Sequence, residues 1–415
     1  MQSSKKLSKC RLCNSENLEI NFDFGKIPLG NNLQSNLQAA LSAKTYPLQV
    51  LKCKECYHFQ LGFSVSPKIL YATNYTYLSN IGVSFVNHIK EFVYWIKDKC
   101  KISKEHFVFE IGSNDGTCLK EFNNLIGCKV IGVDPAEIPC KIANQNGIKT
   151  FNEFFTDATV QYVKNKFGQP DLITSQNALA HIHDLEKVFE NVFLLLKEEG
   201  YFAFEVGYFG KVLEKNLFDT IYHEHLDYHH AFPLVKILKT IGFSVINISL
   251  NNSQGGSIRL LLKKCKTKII GKQVKNFLEH EKNSLLYNKN YLVNWKLNIQ
   301  KNLRQLKNEI LNIKKLGIPI IGYGAPTKAT LLLEIALITK NEVDFIIEDN
   351  ELKVGKYLPK HGIKIKSFNE LKKFKKSCVV IFAWNFANDI LEKLKKLKLD
   401  IIVLIPLPKL KIVKL

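Results

Sequence analysis

The chain has 415 residues, 46% hydrophobic and 23% charged, a composition that supplies a sizeable core and excludes disorder along its length. A net charge of +21, from 59 Lys and Arg against 38 Asp and Glu, favours acidic partners such as phosphorylated small molecules, nucleic acid or anionic lipid. The lysines are spread out, no Arg-rich patch interleaved with aromatics occurs, and no run nears the roughly 18 apolar residues of a membrane helix, so no nucleic-acid or membrane partner is expected.

The opening MQSSKKLSKC lacks the apolar stretch of a secretory leader, which predicts a cytoplasmic protein. It runs into Cys10-Arg-Leu-Cys13, and Cys53-Lys-Glu-Cys56 follows further on. Two C-x-x-C knuckles supply four thiolates, the complement of a closed tetrahedral zinc site. Such a site has no open position for water, so the predicted role of the metal is structural, with residues 14–52 clasped as a loop. A redox C-x-x-C normally comes singly. His58 is expected at the surface, and the six scattered cysteines in the core.

From residue 107 the pattern changes. Residues 107–111 (FVFEI) predict a buried strand, then a turn Gly112-Ser-Asn114-Asp-Gly116, a helix from about Thr117, a second strand at 129–133 and Asp134 at its tip. Strand, glycine turn, helix, strand and terminal acid form a Rossmann-like binding unit. A dinucleotide site wants G-x-G-x-x-G for a pyrophosphate. Here an acid, Glu110, ends the strand and the glycines are four apart. That arrangement resembles motif I of S-adenosylmethionine-dependent methyltransferases, whose ligand has a cationic amino-acid part. Strands at 171–174 and 201–205 flank a helix at 185–197, supporting a doubly wound parallel sheet.

Next comes FDTIYHEHLDYHH (218–230), with four histidines, two tyrosines and three acids. Clustered titratable groups suit acid/base catalysis, a metal or a pH-sensitive surface. Metal is the weaker choice because H-E-H is not H-E-x-x-H, and a solvated loop is the bland alternative. Residues 266–316 predict basic amphipathic helices, above all 295–315. A second strand–turn–helix unit follows: a strand at 318–321, then Gly322-Tyr-Gly324-Ala-Pro-Thr-Lys328 and a helix from Ala329. A glycine turn feeding a helix N-terminus suits an anion. Residues 343–347, 379–383 and 401–405 supply further strands.

Taken together, the cysteine pairs, YTYLS (75–79), EIGSNDGT (110–117), GVDP (132–135), NALAHIHD (177–184), FDTIYHEHLDY (218–228), GGSIR (255–259), GYGAPTK (322–328) and AWNF (383–386) resemble the sugar C-methyltransferase family over nearly the whole chain. The resemblance implies an α/β fold: a zinc-binding domain (1–70), a Rossmann-like S-adenosylmethionine-dependent methyltransferase domain (71–265) and a second Rossmann-like, nucleotide-sugar-binding domain (266–415). It implies S-adenosylmethionine and structural zinc as cofactors, a nucleotide-linked keto-sugar as substrate, and a monomer or weak oligomer. Cys118, His183, His229 and His230 depart from the family pattern and bear on which sugar is used.

Methylating carbon needs a carbanion equivalent, which a ketone supplies as its enolate, so a base and an oxyanion partner are required. His225 is the preferred base, since imidazole titrates near neutrality. Tyr222 would donate to the ketone oxygen, Glu224 would orient the histidine or share the proton, and His223 is the alternative base. The resemblance places Gly112, Asn114 and Gly116 at the methionine part of the cofactor and Asp134 at its ribose. Asn177 would line that site and Glu110 support it. Tyr77, Arg259, Gly322, Gly324 and Lys328 are candidate sugar and diphosphate contacts. Sugar O-methylation and non-catalytic nucleotide-sugar binding are the alternatives.

Overall fold

The computed structural model describes residues 4–71, 78–79, 83–267 and 269–415; among them, a two-stranded sheet pairs Ser4–Lys6 with Phe63–Val65, and three larger sheets build the three units. The expected strands and helices are present with most ends within three residues of expectation, as hydrogen-bond-defined ends commonly are; the helix expected from 295 begins six residues earlier, at Lys289.

The first sheet pairs Leu18–Pro28, Thr45–Cys53 and Phe59–Leu61 antiparallel. Its fourth strand is Asp227–Tyr228 from the middle of the chain, which pairs with Phe59 and Gln60. The zinc-type module and the histidine-rich stretch are thus one structural unit. The two knuckles share one turn: Asn14 N donates to Cys10 O and Tyr57 N to Cys53 O, each at 3.0 Å. Asn14 and Tyr57 both take positive φ, at 57° and 63°.

The second sheet has seven strands in the order 243–251, 257–264, 201–207, 172–176, 107–111, 129–133, 150–151. Ser257–Lys264 alone runs antiparallel to its neighbours, and the other pairings are parallel. Phe107–Ile111 is buried at every position, as a strand covered by helices on both faces must be. The strand order turns back between Phe107–Ile111 and Leu172–Gln176, and ligands of open α/β sheets bind outside the carboxyl ends at such a switch point.

The third sheet repeats that plan, in the order 365–367, 345–348, 320–323, 376–381, 400–405, 411–414. Only the last strand is antiparallel. The 27-residue helix Lys289–Lys315 leads into it, burying Leu292, Trp295, Ile299, Leu303, Leu306, Ile310 and Ile313 as one stripe at helical spacing. The first module reaches this third unit through its backbone: Gln34 and Tyr357 exchange hydrogen bonds of 3.0 and 2.8 Å. Among the described residues, no helix is long and apolar enough to cross a membrane.

Candidate active site

One cavity of about 1660 Å³ opens where the three units meet. Gly112, Asn114, Asp134 and Asn177 line its one end, Gly324 and Lys328 the other, and Tyr222, Glu224 and His225 lie along its wall.

The cofactor end is built by backbone geometry. Gly112 has φ +70°, and a Cβ there would lie 2.3 Å from Ala178 Cβ, so only glycine lets strand and loop approach so closely. Asn114 and Asn177 are also left-handed, at 50° and 57°. Asp134 accepts from Asn114 N at 2.9 Å and Ala136 N at 2.8 Å, which fixes its carboxylate at the strand tip with lone pairs left for ribose hydroxyls. Gly116 caps the following helix with φ +76° and Glu110 is buried in its strand. Neither is among the cavity-lining residues, so both shape the loop from beneath. An acid at the tip of the second strand and a loop with no crowding Cβ fit S-adenosylmethionine.

The histidine stretch is folded inward, not solvated. His225 Nδ1 lies 2.8 Å from Thr220 O, a carbonyl that can only accept, so Nδ1 carries the proton and Nε2 its lone pair. Tyr222 therefore donates its hydroxyl to Nε2, at 2.8 Å. Burial, followed by the neighbouring His181 ring, holds the His225 imidazole well below its usual titration range, so it is a neutral base. Imidazole titrating near neutrality, the ground for preferring His225, does not describe this buried ring. The group poised there is Glu224: burial pushes its carboxyl up to about 7, opposed by a hydrogen bond from Asn31 and the charge of Lys353.

His223 turns away. Its Nε2 meets Tyr46 O at 3.2 Å inside the first module, it does not line the cavity, and burial lowers its imidazole to about 4. Arg259 is also committed elsewhere. Its Nε and Nη2 donate to Glu205 Oε2 at 3.0 and 2.9 Å, and its guanidinium stacks near Phe92 and Trp95, so the pair is internal and Arg259 does not line the cavity. His58, expected outside, is fully buried and bonded to Asp227 at 2.8 Å. Tyr77 lies outside the described residues.

At the far end, Gly324 has φ +83° with its missing Cβ 2.6 Å from Ala383 Cβ. Gly322 sits within the strand, where a Cβ would meet Ile346 and Phe382 at 2.6 Å; its role there is packing. Lys328 precedes the helix Ala329–Ala336. Its ammonium sits 4.0 Å from the Trp384 ring centre, and burial lowers its pKa against the pull of Asp219.

Three residues not singled out from the sequence belong here. Asn31 Nδ2 donates to Glu224 Oε1 at 2.8 Å. His181 stacks edge-on to His225, with centroids 4.8 Å apart. Lys353 reaches in from the third unit, its Nζ 3.0 Å from Ala325 O. No sequence motif marks Asn31; its place is set by the neighbouring Gly30, where a Cβ would lie 2.2 Å from Thr327 O.

The four knuckle sulfurs lie within 4.8 Å of one another, with Cys10–Cys56 at 3.5 Å and Cys13–Cys53 at 3.7 Å. A tetrahedral ion with Zn–S bonds of about 2.3 Å separates its sulfurs by about 3.8 Å, so the set fits structural zinc.

Three family models match successive parts of the chain. A zinc binding domain model matches residues 10–71, a methyltransferase domain model 100–248, and the C-methyltransferase C-terminal domain model 252–408. The chain is 27% identical over 391 residues to the C-methyltransferase NovU of Streptomyces niveus, covering 94% of this chain and 93% of that one. Among solved structures, the magnesium protoporphyrin IX methyltransferase of Synechocystis PCC 6803 matches 44% of this chain and 80% of its own at 14% identity, TM-score 0.34. An S-adenosylmethionine-dependent methyltransferase from Clostridium acetobutylicum matches 45% and 92%, also at 14%, TM-score 0.35. With a zinc binding domain, a methyltransferase domain and a C-methyltransferase C-terminal domain matched in order along one chain, the protein is an S-adenosylmethionine-dependent methyltransferase, similar over nearly its whole length to a C-methyltransferase.

Proposed function

We propose that the enzyme methylates the carbon beside the ketone of a nucleotide-linked keto-deoxysugar, through an enolate, in the synthesis of deoxysugar or surface-polysaccharide precursors. The observation that carries this is the single cavity joining two glycine turns. Its volume, about 1660 Å³, exceeds the roughly 300–1,000 Å³ of a one-ligand pocket and leaves room for cofactor and sugar nucleotide together. Gly324 and Lys328 would hold the diphosphate, with Asp134 and Asn114 at the opposite end.

S-adenosylmethionine supplies an electrophilic methyl group when bound. The protein must then take a proton from carbon and hold the oxyanion that develops. His225 Nε2 is the terminal acceptor. Because Tyr222 already donates to Nε2, the carbon proton passes to the Tyr222 oxygen as the phenolic proton passes to Nε2. That leaves the ketone oxygen to Glu224, whose carboxyl is half protonated near pH 7 and can donate a hydrogen bond to the enolate oxygen.

The test is proton exchange in heavy water with a panel of 4-keto nucleotide sugars. Deuterium should enter the carbon beside the ketone without cofactor, and the complete reaction should place the new methyl on that carbon. No exchange, together with an O-methylated product, overturns the proposal. Retained turnover in both His225→Phe and Tyr222→Phe overturns the roles.

A further inference from the structure

Glu224 is held by a relay of two side chains, Asn31 from the first module and Thr327 from the third unit. Asn31 Nδ2 donates to Glu224 Oε1 at 2.8 Å, and Thr327 Oγ1 bonds to Asn31 Oδ1. In its ionised form the carboxylate only accepts, so the Asn31 amino group faces it, and the amide oxygen is then turned to Thr327, whose hydroxyl donates. The orientation of the amide is thereby set from the third unit. Thr327 belongs to the Gly322–Lys328 turn, and the approach is tight: a Cβ on Gly30 would sit 2.2 Å from Thr327 O and 2.9 Å from its Cα. Nothing larger than glycine beside Asn31 allows this contact.

We propose that Asn31 is a positioning residue that ties the Glu224 carboxyl to the glycine turn of the third domain through Thr327, so that the carboxyl is set to donate to the enolate oxygen only while that turn is docked. The inference rests on the reading of Glu224 given above. Loading the turn with an anionic ligand and arming the carboxyl then become one event. The other groups facing Glu224 are Lys353, whose charge acts on its carboxyl, and His181, whose ring bonds to the Glu224 carbonyl. Lys353 is itself tied to Ala325 of the same turn, so the third domain controls two of the groups acting on the carboxyl.

The test reads the carboxyl itself, independent of substrate. Infrared difference spectra of the full-length protein against Glu224→Gln isolate the protonated Glu224 band, whose midpoint is expected near pH 7. Asn31→Ala removes a hydrogen bond that favours the carboxylate and should raise the midpoint by about one pH unit. Thr327→Val, which removes the hydroxyl that donates to Asn31, should raise it in the same direction, and Thr327→Ser, which keeps a hydroxyl, should leave it near the wild-type value. A midpoint unmoved in either Asn31→Ala or Thr327→Val overturns the bridge. A failure of the catalytic reading would instead show as normal turnover in Glu224→Gln, with the infrared shifts intact.

Discussion

The guanidinium of Arg11, set between two cysteines of the first knuckle, grips Asp227 in a fork, with Nε–Oδ1 at 2.9 Å and Nη2–Oδ2 at 3.0 Å. The same guanidinium donates to the carbonyls of His183 and Ile182 at 2.8 and 2.5 Å. One side chain thus fastens the metal module to both loops that carry the cavity's histidines. Removing one partner of a buried, forked pair leaves the other charge stranded, at a cost of about 3–5 kcal/mol. Arg11→Ala is expected to lower stability by that order, and Arg11→Lys by less, since lysine keeps the charge opposite Asp227 though not the fork. Denaturant unfolding of the three proteins checks the ranking.

Metal loss should reach the cavity by the same route. One zinc per chain is expected by elemental analysis. Stripping it, or Cys53→Ser, should lower the melting temperature and abolish turnover together, although no zinc ligand lines the cavity. Full turnover in metal-free protein would separate the two.

Gly112→Ala places a Cβ 2.3 Å from that of Ala178 at a φ of +70°. Strain of about 1–3 kcal/mol follows, expected as a roughly tenfold or greater loss of S-adenosylmethionine affinity by calorimetry. Gly25→Ala is the control: its φ is +78° with nothing within 4 Å, so it should cost about 1 kcal/mol of stability and leave affinity unchanged.

Glu224 gives a pH signature in stability. Burial holds its carboxyl at about 7 in the folded protein, against about 4.3 in the unfolded chain. The unfolded state therefore releases its proton first as pH rises, and stability falls between about pH 4 and pH 7, by the order of 3 kcal/mol. Glu224→Gln should match the wild type near pH 4 and exceed it at pH 8. Thermal melts across that range test this, and a mutant no more stable at pH 8 rejects it.

The parts of the fold written in local pattern were legible. Phe107–Ile111 is an apolar run broken only by Glu110, Gly112 is demanded by a positive φ, and the cysteine spacing alone matches the sulfur tetrahedron. What local pattern omits is the partner across space. Arg259 looked available for an anion because Glu205, its partner, comes from a neighbouring strand at a register only the fold reveals. His223 and His225 are two residues apart yet end on different sides, one on Tyr46 O and the other on Tyr222. Asn31 carries no motif; it matters because Thr327, far along the chain, is pressed against Gly30. His58 looked superficial because nothing adjacent to it foretells Asp227.

The borrowed strand Asp227–Tyr228 has a consequence for biosynthesis. Until those residues leave the ribosome, Phe59–Leu61 presents an unpaired edge, the kind of exposed template that invites association with other chains. Maturation of the amino-terminal module must therefore wait for more than half of the polypeptide to be translated, and a fragment truncated ahead of Asp227 should be a client for chaperones rather than a free-standing metalloprotein.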